Sequence, residues 1–297
     1  MNQIKSLRKR AGYTQKKMAE MLDTTQQSIA RWENGTVEPS LSAVRDMAMI
    51  FGTSIDNIMR SDNSPIDIEL SVSRLNFEEA TDNSKHWGIV GISYENAPKT
   101  YWYPITKGQL INIYNYLSED ETGWFNIITL NNRIISINSK LISDIKLCSD
   151  DADPIDNEKI TIEEYVGYPL ELYRVLSEKP YADENEFDWS SNCSKKLLTI
   201  IDRFLDEYSL HDDDLLNQKL HYTTIHRKGN LPYTYWANDI QLTELVYYFS
   251  QQIIPRFLNI NYIDGQIENF YPENQVCMIE IPLIDVMENF SKQYSEN

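Results

Sequence analysis

TQKKMAEMLDTTQQSIARWENG, residues 14–35, is the stretch whose reading decides the fold of the N-terminal part of the chain. It divides into two short helical patterns with a turn between them. Thr14 stands where an N-cap belongs, and Met18, Ala19 and Leu22 follow at the spacing of one buried helix face. Asp23-Thr24-Thr25 breaks that pattern and places Thr24 or Thr25 to cap a further helix, which runs to about Glu33. Ile29 and Trp32 give this helix an apolar back, and Asn34-Gly35 closes it, because both residues tolerate the left-handed backbone of a helix C-terminus.

Working outward, Ile4 and Leu7 mark an earlier helix that ends at Ala11-Gly12. Pro39-Ser40 opens a later one, carrying Leu41, Val44, Met47, Ala48 and Phe51 before Gly52, and Ser54 caps a last turn with Ile55 and Ile58. Residues 1–60 therefore read as an all-α unit of five short helices. Ser61-Asp62-Asn63-Ser64-Pro65 is polar and without period, which makes 61–66 a linker.

The whole chain has 297 residues, enough for two or three compact units, and is 41% hydrophobic and 24% charged, as soluble globular proteins are. No run approaches the ~20 apolar residues of a membrane-spanning helix, so no membrane partner is expected. The first residues show no apolar signal-peptide core. Cys148, Cys193 and Cys277 are odd in number and far apart, so they make no disulfide framework, and a cytoplasmic protein is expected. Net charge is −18, which by itself argues against nucleic acid. The charge is unevenly placed: residues 1–60 hold nine Lys and Arg against six Asp and Glu, and the remainder holds 18 against 39. Phosphate repels the acidic remainder, so any contact with DNA falls to the first sixty residues.

Beyond the linker, 67–148 is β-rich with one helix near Gln109–Leu117. Ile66–Val72, Trp87–Tyr94 and Tyr101–Ile105 read as strands, and Ile127–Leu130 meets Ile134–Ile137 across Asn131-Asn132-Arg133 as a hairpin. Residues 149–210 form an acidic connecting region with helices near Ile162–Ser177 and Lys195–Tyr208, and 211–297 returns to β-rich character. That return reads as an internal duplication. Pro98-Lys-Thr-Tyr-Trp matches Pro232-Tyr-Thr-Tyr-Trp, Gln109-Leu110 matches Gln241-Leu242, and Tyr116-Leu-Ser118 matches Tyr248-Phe-Ser250. Phe125 and Ile128 then correspond to Phe257 and Ile260, and Asn131-Asn132 to Ile263-Asp264 beside Gly265. The fold class expected is multidomain: the helical unit followed by a mixed α+β region of two small β-rich units related by a pseudo-two-fold.

The first sixty residues resemble the helix-turn-helix of phage repressor and Cro proteins, the XRE type. The resemblance rests on Leu7-Arg8, Thr14-Gln15, Met18-Ala19, Leu22, Thr24 through Ile29, Trp32-Glu33-Asn34-Gly35, Pro39-Ser40 and Phe51-Gly52. It implies a sequence-specific transcriptional regulator, a repressor that binds a pseudo-palindromic DNA operator as a homodimer. Thr25, Gln26, Gln27, Ser28 and Arg31 are then the candidate contacts of the helix that enters the major groove. A glutamine amide pairs with adenine N6 and N7, and a guanidinium forks onto guanine or holds a phosphate. The resemblance gives Gln15 the role of holding a backbone phosphate at the start of its helix. Arg8 and Lys16, with Arg10 and Lys17, are candidates for general charge contacts, and Asn34 and Thr36 for the second strand's backbone. Glu38 departs from the pattern, standing where a basic residue would help.

No catalytic residue, metal site or cofactor is argued. The Ala-Gly and Gly-Asp-Ser features of self-cleaving repressors are missing beyond Ala11-Gly12, and no phosphate-binding glycine loop occurs. His221 and His226 would lie on opposite faces of one strand. Three readings of the acidic region follow: a dimerisation and protein-interaction module, a small-molecule sensor lined by Tyr101-Trp102 and Tyr235-Trp236, or part of an antitoxin-like or phage immunity protein.

Overall fold

Threonine and serine hydroxyls cap the helices of the first unit at the positions their sequence suggests. The computed structural model describes residues 3–10, 13–51, 55, 58, 86–118, 123–149, 170–179 and 195–295. Ile4–Arg10 (α1), Gln15–Met21 (α2), Gln26–Glu33 (α3) and Leu41–Phe51 (α4) are helical. Thr14 Oγ1 accepts from the Lys17 amide at 3.0 Å, and Thr25, rather than Thr24, accepts from the Ser28 amide at 3.1 Å. Ser40 Oγ does the same for Ala43 at 3.2 Å. The end of α3 is a Schellman motif: the Thr36 amide reaches Arg31 O at 2.9 Å and the Gly35 amide reaches Trp32 O at 3.1 Å. Gly35 has φ +68°, which explains the glycine there. Ile4, Leu7, Met18, Ala19, Ile29, Val44, Met47, Phe51 and Ile58 make the core. Leu41, expected inside, is half exposed because it opens α4 at the rim.

One ion pair crosses this core. Glu33, on the inner side of α3, is buried and accepts Arg8 Nε at 2.5 Å, Arg8 Nη2 at 3.2 Å and Gln15 Nε2 at 2.8 Å. Arg8 Nη1 also donates to Tyr13 O at 2.7 Å. Burial pushes the Glu33 carboxyl up, but the bonds from Arg8 and Gln15 outweigh it and hold it below its ordinary value. Hydrogen bonding to Glu33 raises Arg8 in turn.

Leu170–Glu178 (α6) and Lys195–Tyr208 (α7) pack on α4 in the same compact unit as α1–α4. The sequence reading set them apart as a connecting region, because nothing local in an amphipathic helix names its partner. Buried Arg45 on α4 holds Glu178 on α6 at 3.0 Å, and Tyr173 meets Phe204 edge to face.

The second unit carries His86–Tyr94 (β1), Tyr101–Thr106 (β2), Lys107–Ser118 (α5), Trp124–Thr129 (β3), Arg133–Asn138 (β4) and Ile142–Ser149 (β5). Asp213–His221 (α8) leads into Tyr222–Arg227 (β6), Tyr233–Trp236 (β7), Asp239–Ser250 (α9), Phe257–Asn259 (β8), Phe270–Pro272 (β9), Val276–Pro282 (β10) and Leu283–Ser295 (α10). Both halves run strand, strand, helix, hairpin, strand. The sheets also match: β2-β1-β5 in the first half corresponds to β7-β6-β10 in the second, and hairpin β3-β4 to hairpin β8-β9. All these pairings are antiparallel.

Equivalent side chains make equivalent bonds. Thr106 caps Gln109 N at 3.2 Å and Asn238 caps Gln241 N at 3.1 Å. Gln109 Oε1 accepts the Ile128 amide at 3.1 Å, and Gln241 Oε1 accepts the Asn261 amide at 2.9 Å. The left-handed turn residues are Asn132 and Gly265. The helices therefore align as the sequence suggested, but the hairpins align one residue later: Trp124 matches Phe257 and Phe125 matches Leu258. The halves are also not separate units exchanging equal contacts. Hairpin β3-β4 adds to β10, making the five-stranded order β3-β4-β10-β6-β7, whereas β8-β9 pairs with neither β5 nor another strand among the described residues. The expected strand at Ile66–Val72 and the linker at 61–66 lie outside the described residues.

Trp102 and Tyr101 are buried, as is Tyr235, while Trp236 is half-buried and stacks on His221. These aromatics are packing groups. No helix among the described residues is long and apolar enough to cross a membrane.

Two outcomes test this packing. A Cβ added at Gly91 would lie 2.7 Å from the Trp102 ring, so Gly91→Ala should destabilise the second unit by about 1–3 kcal/mol in urea denaturation; an unchanged midpoint would contradict the contact. Glu33→Gln leaves the Arg8 charge buried without a counter-charge and should cost the first unit about 3–5 kcal/mol at pH 7. Because the folded carboxyl is lowered, its contribution is present above the unfolded value, about 4.3, and is lost as pH falls through the folded value. Thermal melts of wild type and variant should accordingly converge in strong acid.

Candidate nucleic-acid interface

The arrangement begins with what α3 hides. Ile29 and Glu33, one turn apart, are buried, and Trp32 packs at the margin of the same core. The opposite side is thereby left to water. Gln27 and Arg31 are exposed there, four residues apart and one above the other on the same face, and Gln26, on the Glu33 side, is exposed in the first turn. The exposed part of α3 thus carries two amides and one guanidinium, side chains that pair with base edges in a major groove.

Thr25 and Ser28 serve the helix itself. Thr25 is the N-cap, and its hydroxyl lies 2.9 Å from the Ser28 hydroxyl, so the two polar groups satisfy one another beside the N-terminus of α3. Lys16, in the first turn of α2, is exposed. Asn34 and Thr36 are exposed at the other end of α3, on the turn that Gly35 makes, and so is Glu38.

Gln15 is half-buried and donates one N–H to Glu33. A side-chain amide carries two such hydrogens. The bond to Glu33 orients the group at the first turn of α2, where the second hydrogen and the helix N-terminus suit an anion.

Arg8 corrects the sequence reading. The sequence groups it with the surface cations, but its guanidinium is buried, and three of its N–H groups donate to Glu33 and Tyr13 O. It acts on the interface by holding Glu33, and through Glu33 Gln15. Glu33 itself was read only as part of the family pattern. The available signal was its spacing: a carboxylate four residues after Ile29 falls on the inner stripe and needs a buried cation.

Elsewhere the histidines are also engaged. His221 ends α8, not a strand, and its Nδ1 lies 2.7 Å from Asp285 Oδ1. His226 on β6 is fully buried, with Nε2 2.7 Å from Glu280 Oε1 and Nδ1 3.2 Å from the Tyr94 hydroxyl. Cys148 and Cys277 are free thiols, and burial pushes Cys277 up to about 11.

Comparison with known proteins bears on one part of the chain. A family described as helix-turn-helix matches residues 4–58. A stretch of 66 residues is 30% identical to the SPbeta prophage-derived uncharacterized HTH-type transcriptional regulator YonR of Bacillus subtilis (strain 168). That likeness covers 22% of this chain and 61% of the relative, so the chain spans less than two thirds of the protein it matches. No solved structure matches the chain. The matched segment, residues 4–58, holds α2, the Leu22–Thr25 turn and α3 in the order of a helix-turn-helix, the family its sequence matches.

Proposed function

We propose that this protein is a sequence-specific DNA-binding transcriptional regulator, a cytoplasmic repressor of phage, mobile-element or bacterial host genes that occupies a pseudo-palindromic operator as a homodimer. The observation that carries the reading is the division of labour on α3: Ile29 and Glu33 anchor it, Gln27 and Arg31 stand in solvent on its other side, and Gln26 is exposed in its first turn. The match of residues 4–58 to the helix-turn-helix family gives that geometry its direction. One such head covers one half-site, and half-sites about 10 bp apart call for two heads.

The acidic remainder acts in this reading as the dimerisation and interaction module. The packed state of Tyr101, Trp102 and Tyr235 supports that role over a small-molecule sensor built on those rings. The protein performs no catalysis of its own in this reading, and its response to a signal comes through a protein partner.

Selection of bound sequences from a random duplex pool with the full-length protein should return a two-fold-related site; recovery of unrelated sequences would overturn the reading. On the selected site, Gln26→Ala and Gln27→Ala should each lose about 1–3 kcal/mol and relax preference at one base pair. Gln15→Ala should instead weaken selected and random duplexes alike, since a phosphate contact carries no sequence information. Equal binding by wild type and both α3 variants in gel shifts would remove α3 as the reader.

A further inference from the structure

The two halves of the second unit share a plan but not an environment. In the internal contact, hairpin β3-β4 lays one face against α9. Trp124 stacks on Phe249 with ring centroids 4.1 Å apart, and Asn126 Nδ2 donates to Val246 O at 3.1 Å. Trp124, Ile128, Ile134 and Ser136 on that hairpin are buried, as are Thr243, Val246 and Phe249 on the receiving helix at 2%, 0% and 0% exposure.

The duplication supplies both surfaces a second time. By the alignment of the helices, Thr243, Val246 and Phe249 of α9 correspond to Ile111, Tyr114 and Leu117 of α5. By the alignment of the hairpins, Trp124 and Asn126 of β3 correspond to Phe257 and Asn259 of β8. Most of this second set is exposed, although Asn259 is half-buried and the Arg256 guanidinium lies 5.6 Å from the centre of the Phe257 ring. Ile111, Tyr114 and Leu117 are 50%, 57% and 49% exposed, and Phe257 and Phe270 are 45% and 57% exposed. Phe257, Asn259, Phe270 and Pro272 share the outer face of hairpin β8-β9, since Phe257 is opposite Pro272 and Asn259 opposite Phe270. The alternate residues Leu258 and Tyr271 are buried on its inner face. Asn259 Oδ1 is buried without a hydrogen-bond partner. A single chain therefore carries one helix face of the receiving kind and one hairpin face of the inserting kind, each with large exposed apolar side chains.

We infer that a second copy of this chain covers them: the outer face of hairpin β8-β9 of one protomer packs on Ile111, Tyr114 and Leu117 of α5 of another, repeating between chains the contact that β3-β4 makes with α9 within one. Phe257 takes the place of Trp124 and Leu117 that of Phe249. Two chains that exchange hairpins cover both surfaces at once, which closes the assembly as a dimer. The contact is one of faces rather than of strand edges, because Pro272 has no amide to add to a ladder. A helix face and a hairpin face that are each repeats of a buried partner explain why these apolar groups stand together on the surface. The inference deepens the homodimer of the preceding section and rests on that reading for the number of copies only, since no residue of α3 takes part.

The test is sedimentation of the full-length chain without DNA, so that failure of association is separated from failure of operator binding. Wild type at tens of micromolar should sediment at twice the 34.8 kDa chain mass. Tyr114→Asp and Phe257→Asp each remove one side of both contacts, and should each raise the dissociation constant roughly thirtyfold or more while circular dichroism and melting stay unchanged. Mixing the two variants restores one intact contact, from the hairpin of Tyr114→Asp to the helix of Phe257→Asp, so a 1:1 complex should return. A monomeric wild type, a dimer indifferent to either substitution, or a mixture that stays monomeric would each overturn the inference. A surviving dimer with both substitutions would leave operator binding by a dimer standing and remove only this surface.

Discussion

A carboxylate taken out of water needs donors for its oxygens, and Glu33 has three, supplied by two other helices. The constraint orders the helices of the first unit. Arg8 brings α1 to the inner side of α3, and Gln15 brings the first turn of α2 there. Gln26, Gln27 and Arg31 take no part in these bonds, so the helix that carries them is held by other groups. A surface built this way can change its exposed residues without loosening its frame. Removing one partner has the opposite effect, since the remaining charge is then buried alone.

In the second unit the governing constraint is repetition with one-way exchange. The same order of elements occurs twice, and capping residues and helix glutamines do the same work in both halves. Yet the first hairpin crosses to the second half, where β10 is bonded to β4 on one side and β6 on the other. Equivalent positions thereby acquire opposite surroundings. Phe249 is enclosed by Trp124, and its counterpart Leu117 faces water. Sequence equivalence predicts local bonds well and predicts burial poorly, because burial depends on which hairpin arrives.

That distinction also sets what was legible before the structure. Thr14, Ser40 and Gly35 announced their caps and turn because those interactions close within a few residues. The inner stripe of α3 was readable as a helical period, and the hairpin at Asn131-Asn132-Arg133 as turn chemistry. The Arg8–Glu33 pair joins residues 25 apart, and a surface role for Arg8 was the natural reading of a cation in a basic segment. The packing of α6 on α4 through Arg45 and Glu178 spans 133 residues and leaves no local trace. The one-residue shift between the helix and hairpin alignments arose because apolar residues adjoin on both β3 and β8. Phe125 and Phe257 matched by type, while the bonds to Gln109 and Gln241 fix the true correspondence.

The seam between the two halves shows why the hairpin crosses in one register. Tyr94 and Tyr101 come from the first three-stranded sheet, and His226 and Glu280 from β6 and β10. Tyr101 meets the His226 ring edge to face at 4.5 Å, and Tyr94 reaches Nδ1 while Glu280 takes Nε2. Burial pushes the Glu280 carboxyl up, but its bond with His226 more than offsets that and holds it low. Opposite Glu280 stand Ile135 on β4 and Thr224 on β6. A slip of one residue along β10 would turn Glu280 to the other face of the sheet, away from His226, and leave a buried imidazole and a carboxylate apart. Apolar packing alone would tolerate neighbouring registers with related side chains. The polar group at the seam admits one, and in doing so fixes which faces of the repeat are covered within the chain and which are left exposed.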